Sequence, residues 1–145
     1  MQDILLHTLP SFLLVLGIVV FVHEWGHYIV AKMCVVKIEV VSLGFGPEII
    51  GFNDKSGTRW RFSVLPLGGY VKMFGDADPS SQPDEKVYSM TDAEKKQAFF
   101  HKSVGQRAAI VAAGPAINFL FTFIVFVGLF TTEGQPFTPP RIGEV

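Results

Sequence analysis

ILLHTLPSFLLVLGIVVFVHEWGHYIVA, residues 4–31, is the stretch that decides the fold of this 145-residue chain. Residues 4–22 are almost entirely apolar. At about 1.5 Å per residue, a helix of that length crosses most of a roughly 30 Å hydrocarbon layer. A cleaved signal peptide is the rival interpretation, but no Lys or Arg precedes the run and no small-residue cleavage site follows it. We therefore predict a first transmembrane helix over residues 4–31.

The end of this helix carries the pattern H-E-x-x-H. His23 and His27 are four residues apart, so a helix places both imidazoles on one face, with Glu24 beside them. Ionisable side chains inside a membrane segment cost roughly 2.5–3.5 kcal/mol each on insertion scales, which argues against a chance occurrence. The pattern predicts a zinc site in which His23 and His27 are ligands. Glu24 would take a proton from water for amide hydrolysis.

The composition indicates a membrane protein with one basic side. Hydrophobic residues make up 49% of the chain, and the mean hydropathy is +0.38. Of the 12 Lys and Arg residues, all but Arg141 lie between Lys32 and Arg107, so the positive-inside rule predicts that this segment is cytoplasmic and the N-terminus outside. No basic cluster supports nucleic-acid binding. Cys34 is the single cysteine, which excludes a disulfide framework within the chain.

Residues 32–74 have the pattern of a small, membrane-associated β-structure. Charged and apolar residues alternate around two strand regions, and residues 53–57, NDKSG, form a good turn between them. Gly and Pro residues interrupt both regions, and small sheets with such interruptions often leave an edge unpaired. An unpaired edge near the zinc could accept an extended peptide by strand addition. The alternative is a sheet that merely packs the cytoplasmic side.

Residues 75–103 predict a polar loop followed by a short amphipathic helix. Thr91 and Glu94 are spaced as a capping box at the start of that helix. Phe99 and Phe100 follow it, and we interpret them as interfacial anchors rather than substrate contacts. Ser103 with Gln106 is a second capping box, directly before the next apolar run.

Residues 104–130 predict the second transmembrane helix, running outward from the cytoplasm. Asn118 falls about ten residues into the apolar run, roughly 15 Å deep and level with the metal motif. It could hydrogen-bond a substrate carbonyl or orient a zinc ligand; equally, it could form a helix-to-helix hydrogen bond. Small residues around Gly114 allow close helix packing. The remaining residues, 131–145, are Pro-rich and expected on the outer side.

Three motifs in order carry a family resemblance: HEWGH at residues 23–27, LPLGGYVKM at 65–73, and SVGQRAAIVAAGPAIN at 103–118. With them the chain resembles the site-2 protease family of intramembrane zinc metalloproteases. The resemblance implies a membrane α-helical fold with two transmembrane helices and an intervening small β-sheet. It also implies zinc ligands at His23 and His27 and a general base at Glu24. Four further residues would contact the substrate: Gly68, Gly69, Tyr70 and Asn118.

The resemblance also implies a function and a location. Such proteases cleave transmembrane peptide substrates, in bacteria typically anti-sigma factors already trimmed by another protease, or remnant signal peptides, in the inner membrane. They take a third zinc ligand from an Asp in a later membrane helix and carry periplasmic PDZ domains before it. Residues 141–145 resemble the opening of a PDZ strand, so we expect the chain to be an N-terminal portion of such an enzyme.

Two other function classes stay open from the residues alone. One is a non-catalytic membrane adaptor that holds single-span partners between helices and sheet. The other is a metal or proton conduit through the membrane, which two spans could form only poorly.

Overall fold

The computed structural model describes residues 4–78 and 82–134. In chain order the elements are a π-helical turn (Ile4–Thr8), α1 (Leu9–Met33), β1 (Ile38–Asn53), β2 (Arg59–Met73), a 3-10 segment (Glu85–Ser89), α2 (Asp92–Lys95), a second 3-10 segment (Phe99–His101) and α3 (Val104–Thr132). Two helical stretches, Leu6–Met33 and Val104–Thr132, are long and apolar enough to cross a membrane. The two helices and the small sheet between them follow the predicted order.

Local capping residues define where the later helices begin. The Thr91 hydroxyl accepts the backbone N–H of Glu94, and the Glu94 carboxylate accepts the backbone N–H of Thr91. Ser103 and Gln106 form the same reciprocal pair at the start of α3. Both capping boxes predicted from the sequence are therefore confirmed.

The C-terminus of α1 is closed by a Schellman motif. The backbone N–H of Val36 donates to the carbonyl of Ala31, and that of Val35 donates to the carbonyl of Lys32, each at 2.9 Å. Val35 occupies the left-handed position of this motif with a φ of 57°. The motif turns the chain directly from α1 into β1, so the first strand starts beside the end of the helix that carries the histidines.

The sheet pairs β1 with β2 in antiparallel fashion. Both strands bend, so the two halves of each strand pair with different neighbours. One row across the sheet shows the arrangement: Phe52 lies opposite Trp60, Trp60 opposite Val41, and Val41 opposite Val71. Within the described chain, residues 69–73 pair along one side only, with the first half of β1. This second half of β2 is therefore an edge strand.

The two long helices pack closely at small residues. A Cβ added to Gly26 of α1 would lie 2.6 Å from Cγ2 of Ile117 and 2.7 Å from the carbonyl oxygen of Ala113 on α3, so only glycine fits there. The core lies where the ends of both helices meet the sheet. Its buried residues are Ala31, Val36, Ile38, Val41, Val71, Met73, Phe99 and Ile110.

The prediction for one aromatic side chain was wrong. Phe99 was expected at the membrane interface, but it is buried in the core, and its ring contacts Phe100 edge to face. The expected start of a PDZ strand at residues 141–145 lies outside the described residues, as do residues 135–140.

Candidate metal centre and adjoining cavity

The two histidines of α1 point their outer ring nitrogens at each other. Nε2 of His23 and Nε2 of His27 are 3.1 Å apart. A zinc ion bound to two nitrogens at 2.0–2.1 Å in tetrahedral geometry separates them by about 3.3 Å. The helical spacing of four residues therefore brings the imidazoles to nearly the separation that a shared zinc ion requires.

Hydrogen bonds from α3 determine the proton positions on both rings. Nδ1 of His27 lies 2.7 Å from the carbonyl oxygen of Ile110, so it must carry a proton and donate it. With both rings neutral, His23 then donates from Nε2 to Nε2 of His27, and Nδ1 of His23 accepts from the amide nitrogen of Asn118 at 3.2 Å. One chain of hydrogen bonds thus runs from Asn118 through both imidazoles to the α3 backbone.

A glycine of α3 packs directly against the two nitrogens. A Cβ added to Gly114 would overlap Nε2 of His27 and lie 2.7 Å from Nε2 of His23. Any larger residue would push the two rings out of their present arrangement, so only glycine lets α3 pack this closely on both nitrogens. The type of the two donors and their separation therefore fit a zinc ion with two ligands from this chain.

The described residues contain no group of three or more His, Cys, Asp or Glu side chains arranged to hold a metal ion. The oxygen of the Asn118 amide is buried and has no hydrogen-bond partner in the described chain. The site consequently provides two nitrogen ligands, one adjacent amide and no third acidic or imidazole ligand among residues 4–78 and 82–134.

Glu24 opens onto a cavity of about 450 Å³ between α1, the edge strand and α3. The lining residues are Glu24, His27, Tyr70, Val71, Met73, Phe99, Ile110 and Val111. Glu24 itself is buried, with 7% of its surface exposed. The cavity therefore joins the carboxylate and the His27 imidazole to the edge of β2.

The edge strand approaches Glu24 at a glycine. A Cβ added to Gly69 would lie 3.0 Å from Cγ of Glu24 and 2.7 Å from the carbonyl oxygen of Ser42, so the strand backbone comes as close as a glycine permits. Tyr70 follows on the cavity wall, and its hydroxyl accepts a hydrogen bond from the Arg61 guanidinium. Gly69 and Tyr70 are thus brought to the candidate site.

Gly68 has a different location from its two neighbours. It lies against the ring of Phe45, where an added Cβ would be 2.7 Å from Cε2. It lines a separate cavity of about 480 Å³, mostly apolar, between the middle of α1 and the bends of the strands. Among the four predicted substrate contacts, Gly69 and Tyr70 lie by Glu24, Asn118 lies by His23, and Gly68 lies away from both.

Four residues shape the site although the sequence suggested no role in it for them, Gly114 being expected only to let the helices pack closely. Gly114 and the carbonyl of Ile110 contact the histidines, and Phe99 and Met73 line the cavity. The GP pair at residues 114–115 was a visible signal, since a glycine inside an apolar helix marks a close approach. No local pattern pointed to Ile110, because its role depends on how α3 packs on α1.

A polar cluster ties the turn of the sheet to the end of α1. The Tyr28 hydroxyl donates to Oδ2 of Asp54 at 2.9 Å, while Oδ1 accepts the backbone N–H groups of Ser56 and Thr58. Partial burial raises the pKa of Asp54, but the hydrogen bonds from Ser56, Thr58 and Tyr28 outweigh it and hold the pKa well below its usual value. Tyr28 directly follows His27, so this cluster links the sheet to the metal motif.

Known proteins are similar to this chain over most of its length. A family model described as peptidase family M50 matches residues 11–141. A protein named "putative zinc metalloprotease" from Mesorhizobium japonicum is 51% identical over 97% of this chain and 39% of its own length. One with the same description from Rhizobium meliloti is 44% identical over 99% of this chain and 38% of its own length.

The regulator of sigma-E protease RseP of Escherichia coli is 41% identical over 97% of this chain and 29% of its own length. The chain thus spans between 29% and 39% of the length of these three relatives.

Proposed function

The chain belongs to peptidase family M50, and we propose that it forms the zinc-binding part of an intramembrane endopeptidase that cleaves transmembrane segments. The observation that carries the proposal is the 3.1 Å separation of the two Nε2 atoms in front of Gly114, with Glu24 on the adjoining cavity. The relatives are longer than this chain. Cleavage and its substrates are therefore proposed for the whole protein.

His23 and His27 would hold the ion through their Nε2 atoms. His27 is already in the required tautomer, because its Nδ1 proton is donated to Ile110. His23 is not, because its Nε2 carries a proton when Asn118 donates to Nδ1. Rotation of the Asn118 amide by 180° would turn its unpartnered oxygen towards Nδ1 and favour the tautomer with a free Nε2 lone pair. We propose this rotation as part of metal binding.

Glu24 is the proposed general base. When bound, zinc supplies a Lewis acid that lowers the pKa of water to about 7. The Glu24 carboxylate would accept the proton from the attacking water and deliver it to the nitrogen of the leaving amide. Burial of Glu24 limits the access of bulk water to this proton transfer.

The edge of β2 is the proposed substrate platform. Residues 69–72 offer backbone groups on the side away from β1, next to Glu24 and His27, whereas the N–H and carbonyl of Met73 are already bonded to Asp76. An extended substrate segment could pair there by strand addition, which would present its backbone to the metal centre. Tyr70 would border the bound segment. Asn118, beside His23 rather than on this cavity, is proposed as a positioning residue instead of a substrate contact.

The setting is proposed to be a bacterial inner membrane, with residues 32–107 on the cytoplasmic side and the N-terminus outside. Anti-sigma factors and remnant signal peptides are the proposed substrates. The third zinc ligand would come from outside the described residues, and a PDZ region and later membrane helices are proposed to follow this chain. Under this proposal residues 131–145 lead into the PDZ region.

The decisive test is the Glu24→Gln variant of the full-length protein. We expect cleavage of a single-span peptide substrate to be lost while bound zinc is retained, since the substitution removes the base and neither ligand. Glu133→Gln, on an exposed glutamate at the end of α3, is the matched control and should keep both. Cleavage by Glu24→Gln at the control rate would overturn the mechanism.

A second candidate is a non-catalytic membrane adaptor, favoured by the absence of a third acidic or imidazole ligand among the described residues. Zinc content of the full-length protein, compared with a His23→Ala, His27→Ala double variant, separates the two functions. One tightly held zinc per wild-type chain, absent from the double variant, supports the protease. Partner capture that survives loss of both histidines supports the adaptor.

A further inference from the structure

A second polar cavity lies at the end of the edge strand, on the side proposed to face the cytoplasm. Its volume is about 360 Å³. Its charged lining consists of four carboxylates and two ammonium groups: Glu39, Asp76, Asp84, Glu94, Lys72 and Lys86. The acidic excess favours a positively charged occupant.

Three of the four carboxylates have no buried oxygen without a partner in the described chain. Glu39 forms an ion pair with Lys72 at 3.1 Å. Asp84 and Glu94 accept backbone N–H groups at the starts of the two short helical segments. These contacts explain why three acidic residues lie on the cavity walls, but they do not explain the fourth.

The fourth is Asp76, which is 3% exposed. Its Oδ2 accepts the backbone N–H of Met73 at 2.9 Å, whereas its Oδ1 is buried and has no hydrogen-bond partner in the described chain. Burial raises the pKa of Asp76 to about 6, so the carboxylate is mainly ionised at pH 7.5. A buried carboxylate with an unpaired oxygen costs free energy, which a cationic donor in the cavity would offset.

The second half of β2 runs from the proposed cleavage site to this cavity. β2 passes Glu24 at Gly69 and ends at Met73, and the chain then continues along the cavity wall to Asp76. At about 3.3 Å per residue, a peptide paired with this strand reaches the cavity about four to six residues from the position next to Glu24. Membrane-spanning proteins are rich in Lys and Arg at their cytoplasmic ends.

We propose that the Asp76 cavity is a substrate subsite for a Lys or Arg side chain, about four to six residues to the cytoplasmic side of the cleaved bond. The inference rests on the proposed function, because it takes the edge of β2 as the substrate platform. The subsite fixes the register of a membrane segment against the metal centre by recognising the basic residue at its cytoplasmic end.

The test uses the full-length protein with single-span peptides that differ at one position. A Lys is placed at each of the third to seventh positions on the cytoplasmic side of the cleaved bond, and each peptide is compared with its Gln counterpart. We expect one or two adjacent positions at which Lys raises kcat/KM about tenfold over Gln, the effect of one charge-assisted hydrogen bond. Asp76→Asn should bring that ratio close to one.

Two further variants keep the result interpretable if Asp76→Asn folds poorly. Lys86→Gln removes a competing cation from the cavity rim and should increase the Lys preference. Asp92→Asn, on an exposed carboxylate outside the cavity, is the matched control and should leave the ratio at the wild-type value.

Equal cleavage of every Lys and Gln pair by the wild type would overturn the subsite while the proposed protease function stands. A preference lost equally in Asp76→Asn and Asp92→Asn would overturn it too. Loss of the preference on adding millimolar Ca²⁺ would assign the cavity to a metal ion instead. Failure of the wild type to cleave any peptide would count against the protease function itself.

Discussion

The amide nitrogen of Asn118 on α3 lies 3.2 Å from Nδ1 of His23 on α1. This contact crosses from one long helix to the other at the depth of the metal motif. It combines two of the roles expected for Asn118, because the hydrogen bond joins the helices and also sets the tautomer of a proposed zinc ligand. After the proposed rotation, the amide oxygen would accept the Nδ1 proton, and a partner of that kind orients the ligating ring and raises its basicity.

Replacement of Asn118 should therefore weaken zinc binding without removing a ligand. We expect Asn118→Leu to lower zinc affinity about 10- to 100-fold, the usual effect of losing such a partner. Asn118→Asp keeps an oxygen that can accept the Nδ1 proton and should retain most of the affinity. Competition with a chromophoric chelator measures both. Wild-type affinity in Asn118→Leu would show that the contact only joins the helices.

Gly114→Ala should abolish zinc binding by a steric route. The added Cβ would clash with Nε2 of His27 and Nε2 of His23, so the two rings would have to move and could no longer hold one ion together. Gly128→Ala lies on the same helix, where an added Cβ meets nothing within 4 Å, and should bind zinc as the wild type does. Metal analysis of the purified variants tests the pair, and stoichiometric zinc in Gly114→Ala would refute the proposed ion position.

The metal motif and the helix caps could be predicted from the sequence because both depend on spacing within one helical turn. Residues four apart on a helix share a face, as His23 and His27 do. The cap of α3 is formed by Ser103 and Gln106, which are three residues apart. Each of these interactions is determined before any other element of the fold packs against it.

The contacts between distant segments could not be predicted in the same way. The hydrogen bond from His27 to Ile110 joins residues that are 83 positions apart, and it exists only because α3 packs on α1. Phe99 shows a related difficulty: a large apolar ring after an amphipathic helix suits a membrane interface and a protein core equally well. The edge strand likewise depends on bends in both β1 and β2.

Acid should destabilise the cluster around Asp54. Its pKa is lower in the folded protein than in the unfolded chain, so the unfolded chain binds more protons and the free energy of unfolding falls as the pH drops below about 4. Above that pH the contribution is fully present. Asp54→Asn cannot be protonated, so its unfolding temperature should fall less between pH 5 and pH 3 than that of the wild type.

Thermal unfolding in detergent across this range measures the effect. Asp92→Asn, whose carboxylate is exposed in an ion pair with Lys95, is the control and should follow the wild-type pH dependence. Identical pH dependence in Asp54→Asn and wild type would show that the hydrogen bonds to Asp54 add no stability.

Val35→Gly should stabilise the protein. Val35 has a φ of 57° at the end of α1, a conformation that costs a side chain with a Cβ about 1–2 kcal/mol and costs glycine almost nothing. The Val35 side chain is 65% exposed, so little packing is lost, and after the larger chain entropy of unfolded glycine we expect a net gain of about 1 kcal/mol. The unfolding temperature should rise by about 3 °C.

Gly57→Ala is the converse variant. Gly57 has a φ of 81°, and an added Cβ there meets nothing within 4 Å, so a loss of stability reports backbone strain, less the gain from the lower chain entropy of unfolded alanine. We expect a fall of about 1 kcal/mol. A lower unfolding temperature for Val35→Gly, alongside the expected fall for Gly57→Ala, would mean that the Val35 side chain stabilises the junction between α1 and β1 by more than its backbone strain costs.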